Sequence, residues 1–250
     1  MKKIKLKSEE EIKRIREAGQ ILSKIFKIIS KIQMEGLTTL YIDSFIEDLI
    51  HKSNAEPSFQ TVKDYNHASC ISINNEVVHG IPSINKTIHQ GDIVKIDIGI
   101  VKNSYFADAC YTFPIEPISP IARRLINVAK ESLKKAIEVS KPGNRIGDIG
   151  AIIQKYVEKN GFSVVKDFTG HGVGFAVHES PSIPHFGVNG KGPLLEEGMV
   201  LAIEPMVNEG KYNIKILDDG WTTITTDGKL SAQFEHTIAI TKDGPIILTK

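Results

Sequence analysis

Two segments set the frame of this chain. Gly91-Asp-Ile-Val-Lys-Ile-Asp97 and Gly198-Met-Val-Leu-Ala-Ile-Glu204 each place an acid six residues after a glycine, at the end of an apolar strand pattern. They lie a little over 100 residues apart, and each follows a pair of amphipathic helices. Ser8-Glu-Glu-Glu11 is a capping box, and the stripe Ile12, Ile15, Ala18, Ile21, Leu22, Ile25, Ile28, Ile29, Ile32 behind it predicts one helix that Gly36 stops. A second is predicted from Thr38 or Thr39 through Ile50, a third from Ser119-Pro120 to Pro142-Gly143, and a fourth from about Gly147 to Asn160-Gly161. Strands are predicted at 69–73, 92–101 and 105–113 after the first pair, and at 162–167, 199–204, 213–217, 221–225 and 232–241 after the second. This order implies a single α+β domain over 1–250, built from two similar halves of about 1–115 and 116–250. A site between such halves would be lined by equivalent carboxylates.

Size and charge narrow the function. A chain of 250 residues exposes about 11,000 Å² when folded against about 40,000 Å² when extended, so it buries roughly 70% of its surface and needs no staples. Lys+Arg is 31 and Asp+Glu is 30, a net charge of +1, which argues against binding DNA through bulk positive charge. Cys70 and Cys110 are the two cysteines, too few for a disulfide scaffold and consistent with a reducing, cytoplasmic setting. The N-terminal segment has no apolar stretch of a signal peptide, and no run approaches a membrane span. Lys2, Lys3, Lys5 and Lys7 form a cluster that reads most simply as a solvated terminus, with an anionic surface such as RNA as the alternative.

The acids demand explanation. A turn at Lys102-Asn103 would pair Asp97 directly with Asp108 across a hairpin, with Cβ atoms ~4.5–5.5 Å apart, and like charges so opposed destabilise a sheet. A pair of metals ~3.5–4 Å apart would relieve them, and on these two residues alone solvated hairpin charges stay open as the alternative. Glu204 ends a buried strand, and Glu235 lies in the apolar strand Ala232–Ile240, so four strand-borne acids would need positive charge. His79, His171 and His178 stand nearby in glycine-flanked or turn-like segments, and the bare backbone around His79 and His171 suits a ligand or substrate contact. Carboxylate and imidazole together favour Mn, Fe, Co or Zn over Mg or Ca.

Other motifs fail. His178-Glu-Ser-Pro-Ser182 lacks the second histidine of His-Glu-x-x-His, Gly170-x-Gly172-x-Gly174 lacks the last glycine of a dinucleotide fingerprint, and Gly190-Lys191-Gly192 is no P-loop. No Gly-x-Ser-x-Gly occurs.

Asn74-Asn-Glu-Val-Val-His-Gly-Ile-Pro82, Gly91–Asp97, Asp108, Gly170-His-Gly-Val-Gly174, His178-Glu179-x-Pro181, Ile203-Glu-Pro205, Asp219-Gly-Trp-Thr222 and Ser231-Ala-Gln-Phe-Glu-His-Thr237 together resemble the type I methionine aminopeptidases of bacterial type, over nearly the whole chain and in order. The resemblance implies the pita-bread fold, an antiparallel sheet with outer helices in two pseudo-symmetric halves. It implies that Asp97, Asp108, His171, Glu204 and Glu235 ligate two divalent metal ions, with Asp108 and Glu235 bridging and an activated water between the metals. Glu204 would relay the proton, His178 would stabilise the developing charge on the scissile carbonyl, and His79 would contact the substrate amide. Phe59, Val62, Tyr65, Cys70 and Trp221 would wall the methionine pocket. The chain departs from the family pattern at Gln60-Thr-Val62, Asn66 and Thr169, which bears on the pocket and not on the ligands.

Proline-specific relatives carry long N-terminal domains, type II enzymes a helical insertion and eukaryotic cytosolic enzymes a zinc-finger extension, none of which this sequence contains. The expected partners are nascent polypeptide N-termini, with the ribosome exit region as a further candidate, no DNA, no membrane and a monomeric state. The expected activity is removal of initiator methionine before a small second residue, which also predicts that Met1 before Lys2 is retained. A fold member that has lost catalysis and serves as a scaffold is the competing class, and the presence of all five ligand positions with His79 and His178 argues against it.

Overall fold

The computed structural model describes residues 3–250, so the readings on Met1 and Lys2 lie outside it. Among the described residues there are four α-helices: α1 (Glu9–Ile29), α2 (Thr39–Lys52), α3 (Pro120–Val139) and α4 (Ile146–Lys159). The strands of the first half are β1 (Glu56–Pro57), β2 (Ser69–Ile73), β3 (Glu76–Val78), β4 (Ile93–Lys102) and β5 (Tyr105–Pro114). After α4 come β6 (Ser163–Val164), β7 (Thr169–Gly172), β8 (Glu179–Pro184), β9 (Val200–Ile203) and β10 (Met206–Asn208). The chain ends with β11 (Ile214–Ile216), β12 (Thr223–Thr225), β13 (Ser231–Gln233), β14 (His236–Thr241) and β15 (Gly244–Ile247).

Local signals set the helix starts. The Ser8 hydroxyl accepts from the Glu11 amide at 3.3 Å while the Glu11 carboxylate accepts from the Ser8 amide at 2.7 Å, closing the capping box. Ser119 caps α3 with Pro120 in its first turn. The end of α1 differs from expectation. It stops at Ile29, because Lys31 and Ile32 donate to Ile28 and Ile29 in tight i→i−3 turns, and Gly36 at φ +82° serves the next bend instead.

The strands form antiparallel sheets. β4 is flanked by β5 along its whole length on one edge and by β1 and β2 on the other. In the second half the order is β15-β14-β9-β7-β8. One apolar core packs α1 and α2 against β2, β4 and β5, and another packs α3 and α4 against β9 and β14. The exposed surface is 11430 Å², close to the value expected for the chain length. No helix among the described residues is long and apolar enough to cross a membrane.

Two sequence expectations about strands are corrected. The β4–β5 turn is Asn103-Ser104, both at positive φ (+50° and +68°), the geometry of a two-residue type I′ hairpin. The register is therefore shifted by two: Asp97 faces Cys110 and Asp108 faces Gly99. The two aspartates are diagonal neighbours on one face rather than a direct pair. The predicted strand 232–241 is broken, with β13 pairing β10 and β14 pairing β9, so Glu235 sits in the gap between two sheets.

Candidate metal centre

The acids converge from both halves. Asp97 and Asp108 project from the long β4–β5 hairpin, Glu204 follows the last residue of β9, and Glu235 occupies the break before β14. His171 lies on β7, beside β9. One carboxylate oxygen each of Asp108 and Glu235 and one imidazole nitrogen of His171 lie within 4.8 Å of one another. His171 Nε2 is 3.4 Å from Glu204 Oε1 and 3.8 Å from Asp108 Oδ2.

The glycines beside His171 have a different purpose from the one expected. A Cβ on Gly170 would meet the Ala202 carbonyl oxygen at 2.5 Å, and one on Gly172 would collide with the Ser180 carbonyl. They let β7 lie flush between β8 and β9, which holds the imidazole in place. They do not open backbone to a ligand.

The electrostatics of the cluster are unbalanced. Asp108, Glu204 and Glu235 are buried, and Asp97 Oδ1, Asp108 Oδ1 and Glu235 Oε1 have no hydrogen-bond partner among the described residues. Burial is the largest cause pushing the Asp97 carboxyl up to about 7. Burial also raises Asp108, Glu204 and Glu235, reinforced by the neighbouring carboxylates. His171 moves the other way: burial first, then the nearby His178, lowers it to about 3. Its Nδ1 lies 3.0 Å from the Gly172 carbonyl, which can only accept, so Nδ1 carries the proton and Nε2 offers its lone pair to the acids. A lone pair facing two carboxylates is an arrangement that a proton or a cation must fill. The donor set of oxygens and one imidazole fits a divalent metal of the Mn, Fe, Co or Zn class.

Supporting groups orient these acids. Gln233 Nε2 donates to Glu204 Oε2 at 3.0 Å, and Cys110 Sγ lies 3.4 Å from Gln233 Oε1. The Thr237 hydroxyl accepts from the Asp108 amide and donates to the Asp108 carbonyl. Sequence reasoning assigned no role to Gln233 or Thr237. The usable signal is a buried polar side chain one step from Glu235 along the strand pattern.

A cavity of about 400 Å³ opens above the acids, and all twelve residues singled out from the sequence line it. Phe59, Tyr65, Cys70 and Val177 form a buried apolar cluster against which Val62 and Trp221 pack. Tyr65 stacks edge-on to Trp221 at 5.0 Å between ring centres. The Tyr65 hydroxyl donates to the Ser69 carbonyl at 2.8 Å and lies 3.1 Å from Cys70 Sγ. Gly99 leaves the space that the Phe59 ring fills. Phe168 and Met206, which sequence reasoning did not name, also line the cavity. His79 sits at φ +56° with its ring edge-on to Phe168, and burial lowers it to about 4. His178 lies at the open side with its ring centre 4.5 Å from that of His171, and partial burial lowers its pKa as well.

An α+β fold with buried acids and a neutral imidazole at the floor of a cleft is the architecture of a metal-binding protein with a substrate-sized cavity. The chain belongs to metallopeptidase family M24, whose model matches residues 13–242. It is 49% identical over 244 residues to the methionine aminopeptidase of Clostridium perfringens, covering 98% of each chain. It superposes on the crystal structure of methionine aminopeptidase from Thermotoga maritima with a TM-score of 0.97 at 40% identity, covering 99% of this chain and 100% of that one. The prolidase of Pyrococcus horikoshii shares the fold more distantly, with a TM-score of 0.79 at 29% identity, and this chain covers 63% of it. The pita-bread fold and the place among bacterial methionine aminopeptidases expected from the sequence both stand.

Proposed function

We propose that this chain removes N-terminal methionine from peptides and nascent proteins whose second residue is small. The observation that carries the reading is the set of unpartnered, buried acid oxygens at the floor of an apolar cleft. Asp97, Asp108, His171, Glu204 and Glu235 would hold two divalent cations. When bound, such cations supply Lewis acidity, bringing the ionisation of water toward neutrality and polarising a carbonyl. His171 needs no proton removed before it binds, because it is neutral down to about pH 3. Glu204, with one oxygen held by Gln233, keeps the other for taking up and passing on a proton. His178 donates to the scissile carbonyl and offsets its developing negative charge. His79 contacts the substrate amide and the leaving group.

Specificity follows from the same cleft. The wall of Phe59, Val62, Tyr65, Cys70 and Trp221 suits an unbranched thioether, which gains sulfur–aromatic contacts. A free α-amine beside the acids confines cleavage to the terminal residue. We place the enzyme in the cytoplasm as a monomeric single domain of two halves, with the ribosome exit region as a further candidate partner. The test is methionine release from Met-Ala-Ser and Met-Lys-Ser after Mn(II), Co(II), Fe(II) or Zn(II) is returned to chelated protein. Metal-dependent release from the first peptide alone is expected. Absence of release with every metal, despite bound metal, overturns the reading.

A further inference from the structure

The N-terminal segment reaches the cleft through a buried ion pair. Lys7 Nζ lies 2.7 Å from Glu179 Oε2, with the two side chains 1% and 6% exposed. The Lys7 amide is tied to the Gly198 carbonyl at 2.7 Å, and its ammonium also donates to the Lys5 carbonyl at 3.1 Å. The ammonium lies 5.2 Å from the centre of the Phe175 ring. Gly174, at φ +139°, leaves room for this approach: a Cβ there would sit 2.8 Å from Lys7 Cε. Glu179 uses its second oxygen differently. Oε1 accepts from the Phe175 amide at 2.5 Å and the Ala176 amide at 3.1 Å, closing the turn that carries His178.

Burying two opposite charges costs about as much as their attraction returns, so an apolar pair would hold the same surfaces together at least as well. What an apolar pair cannot provide is a carboxylate with one oxygen fixed by an ammonium and the other by two backbone amides. That geometry fixes residues 175–179 as a unit; His178 and Glu179 both border the cleft, and it is the His178 ring that stands against His171.

We propose that Lys7 is a positioning residue for His178: the N-terminal segment, through Glu179, sets where the imidazole stands over the acids. The inference rests on the aminopeptidase reading, in which His178 faces the scissile carbonyl. It is tested on the full-length Mn(II)-loaded protein with Met-Ala-Ser and the variants Lys7→Met, Lys7→Arg, His178→Ala and the Lys7→Met/His178→Ala double variant. Lys7→Met is expected to lower kcat roughly ten- to hundredfold, as a misplaced catalytic group does. KM is expected to stay within about twofold, since ground-state binding is untouched. Lys7→Arg is expected to recover most of the loss. In the His178→Ala background Lys7→Met is expected to change kcat by less than about twofold, since the two act as one unit. An equal loss in both backgrounds, or no loss in Lys7→Met, overturns the inference.

Should Lys7→Met fail to fold, Glu179→Gln keeps an oxygen for the Phe175 and Ala176 amides and removes the charge. The same kcat loss, absent in the His178→Ala background, is expected, and an unchanged kcat overturns the inference. A wild-type protein inactive with every metal would sink the aminopeptidase reading instead. Imidazole NMR of nitrogen-labelled, metal-free protein then decides: Lys7→Met is expected to shift the His178 signals and leave those of His51 unmoved. Unmoved His178 signals overturn the inference.

Discussion

The floor and the wall of the cleft are built on opposite terms. At the floor, three buried acid oxygens lack partners among the described residues, and burial holds four carboxylates toward their protonated forms. At the wall, the polar groups are answered within the fold: the Tyr65 hydroxyl donates to the Ser69 carbonyl, and the Asp219 carboxylate accepts from the Trp221 and Thr222 amides. The wall therefore holds its shape unaided, while the floor requires positive charge from outside. The desolvation cost of these acids is offset when a cation binds.

The sharpest break in this comparison is at the floor. Asp108→Ala is expected to lower methionine release by more than roughly a hundredfold, since even groups behind metal ligands cost 10- to 100-fold. Metal titration by calorimetry should show reduced stoichiometry in a protein whose circular dichroism is unchanged. A variant that keeps full turnover would remove Asp108 from the site.

Next in size is the dependence of metal binding on pH. The metal-free floor holds protons that an unfolded chain releases: Asp97 titrates at about 7 rather than 3.8. A raised carboxyl favours the folded state below the unfolded pKa, and that contribution is lost as pH rises through the folded value. A cation favours the ionised acids, so it must displace these protons, and His171, already neutral, adds none to be displaced. The affinity for Mn(II) should tighten between about pH 6 and about pH 8, with proton release on binding. The rise in Tm given by saturating Mn(II) should grow over the same range, and a flat profile would contradict a protonated floor.

Gln233→Ala separates a support from a ligand. It frees Glu204 Oε2 without removing an acid, and kcat should fall roughly 10- to 100-fold while the metal stoichiometry stays that of the wild type. The wall gives the smallest effect. Trp221→Ala removes the ring packed on Tyr65 and should raise KM for Met-Ala-Ser by about tenfold, with metal affinity unchanged. Loss of metal in that variant would show that floor and wall are not independent.

Much of this was legible in the chain. The capping box at Ser8, the proline at the start of α3 and the apolar stripes depend on residues three and four apart, and the helices begin where these signals place them. The family's motifs carry the site, so the acids, histidines and aromatics named from them all border one cavity. The hairpin register was not legible, because turns at Lys102-Asn103 and at Asn103-Ser104 suit the same residues, and cross-strand bonds choose between them. Nor was the break at Phe234-Glu235, where β13 and β14 leave for different partners.

By itself the sequence determined the elements, which acids stand on strands and which glycines flank His171, because short-range sterics and periodicity act within a few residues. Tertiary structure alone decided that Asp97 and Asp108 meet diagonally, that Gly170 and Gly172 serve strand packing and that Lys7 reaches Glu179. These depend on contacts between segments far apart in the chain, where hydrogen bonding and the exclusion of water from the whole core, and not local preference, select the arrangement.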